Sequence, residues 1–293
     1  MKLKKNVDNF LNRTPRQTWR LIHSKIFRYH KKLDSFDNKH PCIFVLSTGR
    51  VGTETLASLC SLASNVFAYH EPVPKIYALS KLGYEYSADS VARIILGEAF
   101  NLSRVELLNY SLGNNRGYVE TSPQVTFLAP IIAELIPNSR FIHLVRNPKE
   151  VVRSGMRRKW FDGNSYDVTR ITPKVGTEAQ RLWDCYTPFQ KNLWLWAETN
   201  RWTMKFCRTV PPENVLLLRS EDVFSANSGT LERLFDFVAS PLPSERKIRN
   251  VLSKKLNSQK TGGFPTSSHW DDKMNRELAA LTGDIALSIG YSV

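Results

Sequence analysis

Two clusters of glycine, hydroxyl and basic residues carry the chemical potential of this 293-residue chain. The first, Ser47-Thr48-Gly49-Arg50-Val51-Gly52-Thr53-Glu54-Thr55, follows the apolar run Ile43, Phe44, Val45, Leu46 and precedes Leu56, Leu59 and Cys60 at helical spacing. Four apolar residues in succession mark a short strand buried on both faces, and the later spacing marks a helix. Strand, glycine-bearing turn and helix form a phosphate cradle. Glycines let the backbone approach, the helix N-terminus aims N–H groups at the anion, and a basic side chain adds charge. The turn contains no Gly-Lys-Ser or Gly-Lys-Thr, so it is not a Walker A loop. Taken alone, it fits a plain structural turn as well as an anion site.

The second cluster repeats the pattern. Residues 140–145 read as a strand, Arg146 stands at its end, Pro148 suits a first helical turn, and Ser154 follows eight positions after Arg146. An arginine at a strand end and a hydroxyl on the next helix suit a second phosphate. With both clusters in this order, the chain resembles the sulfotransferase superfamily that uses 3′-phosphoadenosine-5′-phosphosulfate (PAPS), best over residues 41–160. The resemblance implies a 5′-phosphosulfate loop at Thr48, Gly49, Arg50, Val51, Gly52, Thr53, Glu54 and Thr55, with Arg50 where many relatives have lysine. It also implies a 3′-phosphate site at Arg146 and Ser154, PAPS as co-substrate, and no metal. Relatives close a basic, glycine-containing loop over the nucleotide, which points to Lys260 ahead of Trp270. Glu54 departs from the neutral hydroxyl residue common at its position; a carboxylate there suits the helix dipole but repels phosphate.

Sulfuryl transfer to a hydroxyl needs a base. Asn65-Val66-Phe67-Ala68-Tyr69-His70-Glu71-Pro72 reads as a strand running into a turn, which sets His70 and Glu71 at the carboxyl edge of a parallel sheet. Similar turns occur in carbohydrate-type relatives; Glu71 is the expected base, with His70 its orienter or substitute. A further strand and turn, 117–123, is expected to aim Glu120 at the acceptor. Arg157 and Arg158, with Lys159 and Trp160, extend the helix after Ser154; they suit an anionic acceptor or simply the negative end of the helix dipole. Tyr77, Tyr84 and Tyr86 either line an acceptor pocket or pack in the core.

Charge supports an anionic partner: Lys and Arg number 41 against 27 Asp and Glu, a formal net charge of +14. No zinc spacing or RNA-binding aromatic motif points to nucleic acid. The four cysteines, at 42, 60, 185 and 207, have no metal spacing, and Cys42 and Cys60 read as buried free thiols. With no signal-peptide pattern and no long apolar run, a cytoplasmic location is expected. Residues 1–40 form a basic amphipathic segment in which Trp19, Ile22 and Ile26 recur at helical spacing. It either packs on the catalytic unit or touches an anionic membrane peripherally.

The expectation is therefore an N-terminal helical segment (1–40) and one catalytic α/β domain (41–293), with a P-loop-like central parallel sheet flanked by helices. The expected activity is transfer of a sulfuryl group from PAPS to an acceptor hydroxyl of a carbohydrate. A P-loop kinase of a small metabolite and a polyanion-binding protein of the same fold are the rival readings. Residues 74–112 read as helical with Val91, Ile94, Ile95, Leu96, Leu107 and Leu108 in the core, and residues 124–136 as one helix. Trp183, Trp194, Trp196 and Trp202 lie on a long helical pattern as core rings.

Overall fold

The computed structural model describes residues 33–254 and 262–292. Five strands, β1 (Cys42–Leu46), β2 (Val66–Tyr69), β3 (Gly117–Glu120), β4 (Ser139–Val145) and β5 (Val215–Arg219), make one parallel sheet in the order β2-β3-β1-β4-β5. Among the described residues the helices are α1 (Thr53–Cys60), α2 (Tyr77–Glu85), α3 (Ser90–Gly113), α4 (Ala129–Leu135), α5 (Pro148–Arg157), α6 (Glu178–Leu182), α7 (Pro188–Cys207), α8 (Ser220–Phe224), α9 (Ser228–Phe237), α10 (Glu245–Leu252) and α11 (Asp272–Ser288). None of them is long and apolar enough to cross a membrane. This is the expected α/β architecture, because parallel strands need crossovers and the crossover helices cover both faces.

Strand β1 explains the arrangement. All five of its residues are buried, and their side chains alternate between two cores. Cys42, Phe44 and Leu46 face α3 and α4 through Leu96, Phe100, Leu108, Ile131 and Ile132. Ile43 and Val45 face α1 and α9 through Leu56, Leu59, Leu231 and Leu234. Strands β2 and β3 lie to one side of β1, and β4 and β5 to the other. The sheet therefore changes direction at β1, and the crevice for a ligand opens at that point on the carboxyl edge. Cys42 and Cys60 are buried free thiols, and desolvation pushes Cys60 up to about 12, so both pack as small apolar groups.

Three local expectations are corrected. Val91, Ile94 and Ile95 are 63%, 67% and 63% exposed, while Leu96 and Leu108 are buried. At 100° per residue Val91, Ile94 and Ile95 share one face of α3, opposite the stripe of Leu96, Phe100, Arg104 and Leu108 that is buried. Residues 124–136 are not one helix: a 3₁₀ turn, Pro123–Leu128, hands over to α4, because Pro130 has no N–H to donate back to the preceding turn. Trp183 precedes α7 and packs edge-on against Trp194 at 5.0 Å, whereas Trp194 and Trp196 are buried within α7 as expected. The amphipathic pattern at Trp19, Ile22 and Ile26 lies outside the described residues; Leu33 and Phe36, where the description begins, are wholly buried.

Glu120, expected to aim at an acceptor, is instead fully buried. It shares with Tyr118 the face of β3 that α3 covers, two residues being one period of a strand. There its two oxygens accept from Arg104 Nε at 2.8 Å and Nη2 at 2.9 Å, and Tyr118 OH donates to Oε2 at 2.6 Å. Neither side chain of the Arg104–Glu120 pair is exposed at all. Arg104 Nη1 also donates to Pro74 O at 3.0 Å, so the pair supports the turn that follows Glu71. Removing one partner of a buried pair leaves an uncompensated charge. Glu120→Ala is expected to lower stability by about 3–5 kcal/mol, read from urea denaturation. Arg104→Met combined with Glu120→Leu should recover most of that loss.

A second buried polar group sits in β4. Asn200 donates its amide to Trp196 O at 2.8 Å, so its Oδ1 accepts from His143 Nε2–H at 2.9 Å. Burial pushes His143 down from 6.5 to about 4, opposed by the Asn200 bond. The unfolded chain takes up a proton that the folded chain refuses between those values. Stability is therefore complete above about pH 6.5 and falls on acidification towards pH 4, by on the order of 3 kcal/mol from this group. His143→Gln should flatten that part of the denaturation midpoint against pH.

Candidate active site

The crevice at the sheet's carboxyl edge is a cavity of about 1200 Å³. Its floor is the turn between β1 and α1. Gly49, Arg50 and Gly52 all have left-handed backbones, with φ of 76°, 60° and 88°, so the chain coils tightly enough to start α1 at once. A side chain is excluded at Gly52, where a Cβ would lie 2.2 Å from the Phe224 ring. Gly52 is also the helix N-cap and brings no side-chain acceptor to it. The N–H groups of Thr53, Glu54 and Thr55 precede the first intrahelical bond, Leu56 N–H to Gly52 O at 3.0 Å, and so stand where an anion can receive them. The turn is tied down from two sides. Ser47 N–H donates to Thr126 Oγ1 at 3.0 Å, and the Ser220 hydroxyl bridges the carbonyls of Val51 and Val145.

The β4–α5 turn is held as firmly. Trp196 Nε1–H donates to Arg146 O at 3.0 Å. Asn147 N–H donates to Glu221 Oε1 at 2.9 Å, and Tyr291 OH holds the other carboxylate oxygen at 2.7 Å. Glu221 therefore secures the entry to α5. Asn147 Oδ1 caps α5 by accepting from Lys149 N–H, and Pro148 begins the first turn.

The two turns meet. Arg146 Nη1 donates to Arg50 O at 3.2 Å, and Arg50 Nε donates to Ser154 Oγ at 3.0 Å. Arg146 also pairs with Glu150 at 3.5 Å. Burial pushes Arg50 down to about 10, reinforced by Arg158 and Arg146 and opposed by Glu71 and Glu54. It stays charged at neutral pH, among like charges that an anion would relieve. Thr48, Thr53, Glu54 and Thr55 line the same cavity, as do Arg157 and Arg158. Arg157 Nε donates to Gly262 O at 2.9 Å, while burial and Arg157 push Arg158 down. Val51 is buried in the core and contributes backbone only. Lys260 lies outside the described residues.

His70 and Glu71 also line the cavity, but His70 does not orient Glu71. Its Nδ1 lies 2.8 Å from Thr121 O, a group that only accepts, so Nδ1 carries the proton and Nε2 is the basic nitrogen. Glu71 has φ of 43°, unusual for a residue with a side chain, and its Oε2 accepts from Tyr77 OH at 3.0 Å and Lys75 Nζ at 3.2 Å. Thr121 and Ser122 are buried beneath these turns. Sequence reasoning missed Arg153, although Arg146, Glu150, Arg153 and Arg157 recur at helical spacing on the face carrying Ser154. It also missed Tyr166 and Arg170, which come from a stretch without periodicity. Tyr166 packs against Tyr77 with ring centres 5.3 Å apart, and Arg170 lies 4.0 Å over the Trp160 ring.

The Sulfotransferase family model matches residues 41–244. Among solved structures, the chain is similar to the sulfotransferase domain from the curacin biosynthetic pathway, with a TM-score of 0.53, 18% identity, and coverage of 87% of this chain and 99% of that one. It is also similar to the sulfotransferase domain of the Synechococcus PCC 7002 olefin synthase, at 0.51 and 16%, covering 88% and 98%. A Mycobacterium avium sulfotransferase follows at 0.50 and 12%, covering 93% and 82%. These identities establish likeness of fold alone. Among curated proteins, none matches this sequence. The family match spans more than half of the chain and contains both turns and every cavity residue from Ser47 to Phe224, and on that ground the chain belongs to the sulfotransferase family.

Proposed function

We propose that this chain transfers a sulfuryl group from PAPS to a hydroxyl of a carbohydrate acceptor. The observation that carries the reading is the junction of an uncapped helix N-terminus with Arg50, Arg146 and Ser154. Two anion stations side by side suit a nucleotide with separate 5′ and 3′ phosphate groups. The residues present fit PAPS, since no side chain caps the N–H groups that open α1 and Arg50, Arg146 and Ser154 stand beside them, with Glu54 in the first turn as the opposing charge. Bound there, PAPS would supply the activated sulfuryl group.

The chain's own residues then have distinct tasks. The N–H groups and hydroxyls of Thr53 and Thr55 hold the 5′-phosphate. Arg50 offsets the negative charge that develops as the sulfuryl group departs, a role its fixed position favours. Arg146 and Ser154 hold the 3′-phosphate. Glu71 takes the acceptor proton, with His70 Nε2 the other base facing the cavity. Tyr77 and Tyr166 form an aromatic pair of the kind on which sugar rings pack, and Arg158 suits an acidic group on the acceptor.

Calorimetric titration with 3′,5′-adenosine bisphosphate in EDTA tests the donor. Binding is expected without metal, and Arg146→Ala should weaken it about 10- to 100-fold. Preference for ADP with Mg²⁺ would overturn the PAPS reading in favour of a kinase. Binding of neither would leave the polyanion-binding reading.

A further inference from the structure

Around Glu71, which the preceding reading makes the base, the hydrogen bonds are lopsided. Tyr77 OH and Lys75 Nζ both converge on Oε2, and Lys75 Nζ also reaches the Glu71 carbonyl. Among the described residues, no hydrogen bond is directed to Oε1. One carboxylate oxygen is thus anchored and the other is not, in a side chain that lines the cavity beside Tyr77. The left-handed backbone at Glu71 belongs with this arrangement, because strained conformations persist where the surroundings over-determine them.

Tyr77 is itself fixed. It opens α2 directly after Ile76, which is buried, and Ile76 N–H donates to the buried Gln124 Oε1. Its ring packs against Tyr166 from the loop after α5. Desolvation and the neighbouring Glu71 push its phenol upward, so it keeps its proton and donates. The ionisable groups facing this pair are Lys75 on the turn, Arg50 across the cavity, and Tyr166 and Arg170 on the loop.

We infer that Tyr77 is a positioning residue for the transfer step, holding Glu71 Oε2 so that Oε1 meets the acceptor hydroxyl. The inference rests on Glu71 being the base. In the step, the acceptor oxygen joins sulfur as its O–H bond breaks, and the bond from sulfur to the 5′-phosphate oxygen of PAPS breaks, so that 3′,5′-adenosine bisphosphate leaves with that electron pair. The proton goes to Glu71 Oε1, and Tyr77 keeps its own proton throughout. A general base works only within hydrogen-bonding reach and in the right orientation, so a loosened carboxylate slows turnover while nucleotide binding at the two turns is untouched.

The experiment follows 3′,5′-adenosine bisphosphate released from PAPS with excess glycerol as a simple hydroxyl acceptor. It compares the full chain with Tyr77→Phe, Glu71→Gln and the double variant. Tyr77→Phe keeps the ring contact with Tyr166 and removes only the donor. It should lower kcat about tenfold and leave KM for PAPS unchanged. Glu71→Gln should lose more activity, and adding Tyr77→Phe should cost nothing further. Wild-type kcat in Tyr77→Phe, beside an impaired Glu71→Gln, would overturn the inference while leaving Glu71 as base. Full activity in Glu71→Gln would overturn the base itself. No turnover by the unaltered chain above the uncatalysed rate would overturn both.

Discussion

Strands β1 and β4 are paired in parallel residue for residue, from Cys42 beside Ser139 to Leu46 beside His143. Two strands in that register must release their chains at the same edge, a few ångströms apart, and each chain must then turn into a helix to cross back. The shape of the cavity follows from this constraint. The turns of β1 and β4 are neighbours before any of their side chains interact, and the contacts among Arg50, Arg146 and Ser154 join what the sheet has already brought together. The Ser220 hydroxyl, at the end of the next paired strand, bridges a carbonyl of each turn and fixes their spacing.

Electrostatics add a second constraint. Arg50, Arg146, Arg153, Arg157 and Arg158 line a single cavity. Some of their charge is offset by Glu54, Glu71 and Glu150, and the mutual destabilisation that remains is visible in Arg50, whose charged form is disfavoured by its neighbours as well as by burial. An anion placed there would add hydrogen bonds and relieve repulsion. The net charge of +14 is therefore partly a local property of one crevice.

The site was legible in the sequence where chemistry and chain direction coincide. Arg50 and Arg146 sit at strand-to-helix turns and Ser154 on the helix that follows the second, and a short apolar run followed by helical spacing reveals such turns without knowledge of the tertiary fold. Glu120 was misread because a strand end offers two faces, and only the packing of α3 through Arg104 decides which one is closed. The exposed Val91, Ile94 and Ile95 show the same gap, since hydrophobicity gave no phase for the helix. Tyr77 and Glu71 touch across a turn, at a separation with no period, and nothing in their spacing announces the bond. The parallel sheet itself was readable from strands alternating with helices.

The Glu221 tie has a consequence for how the molecule is made. The backbone at Asn147 is held by Glu221, and Glu221 is held by Tyr291, which follows α11 and also packs on Trp196. The first and second turns are thus complete in sequence by residue 154, while the last support for the second comes from residue 291. During vectorial synthesis the cavity would leave the ribosome before its last tie is made, and the second turn would gain that support when Tyr291 arrives with the rest of the protein.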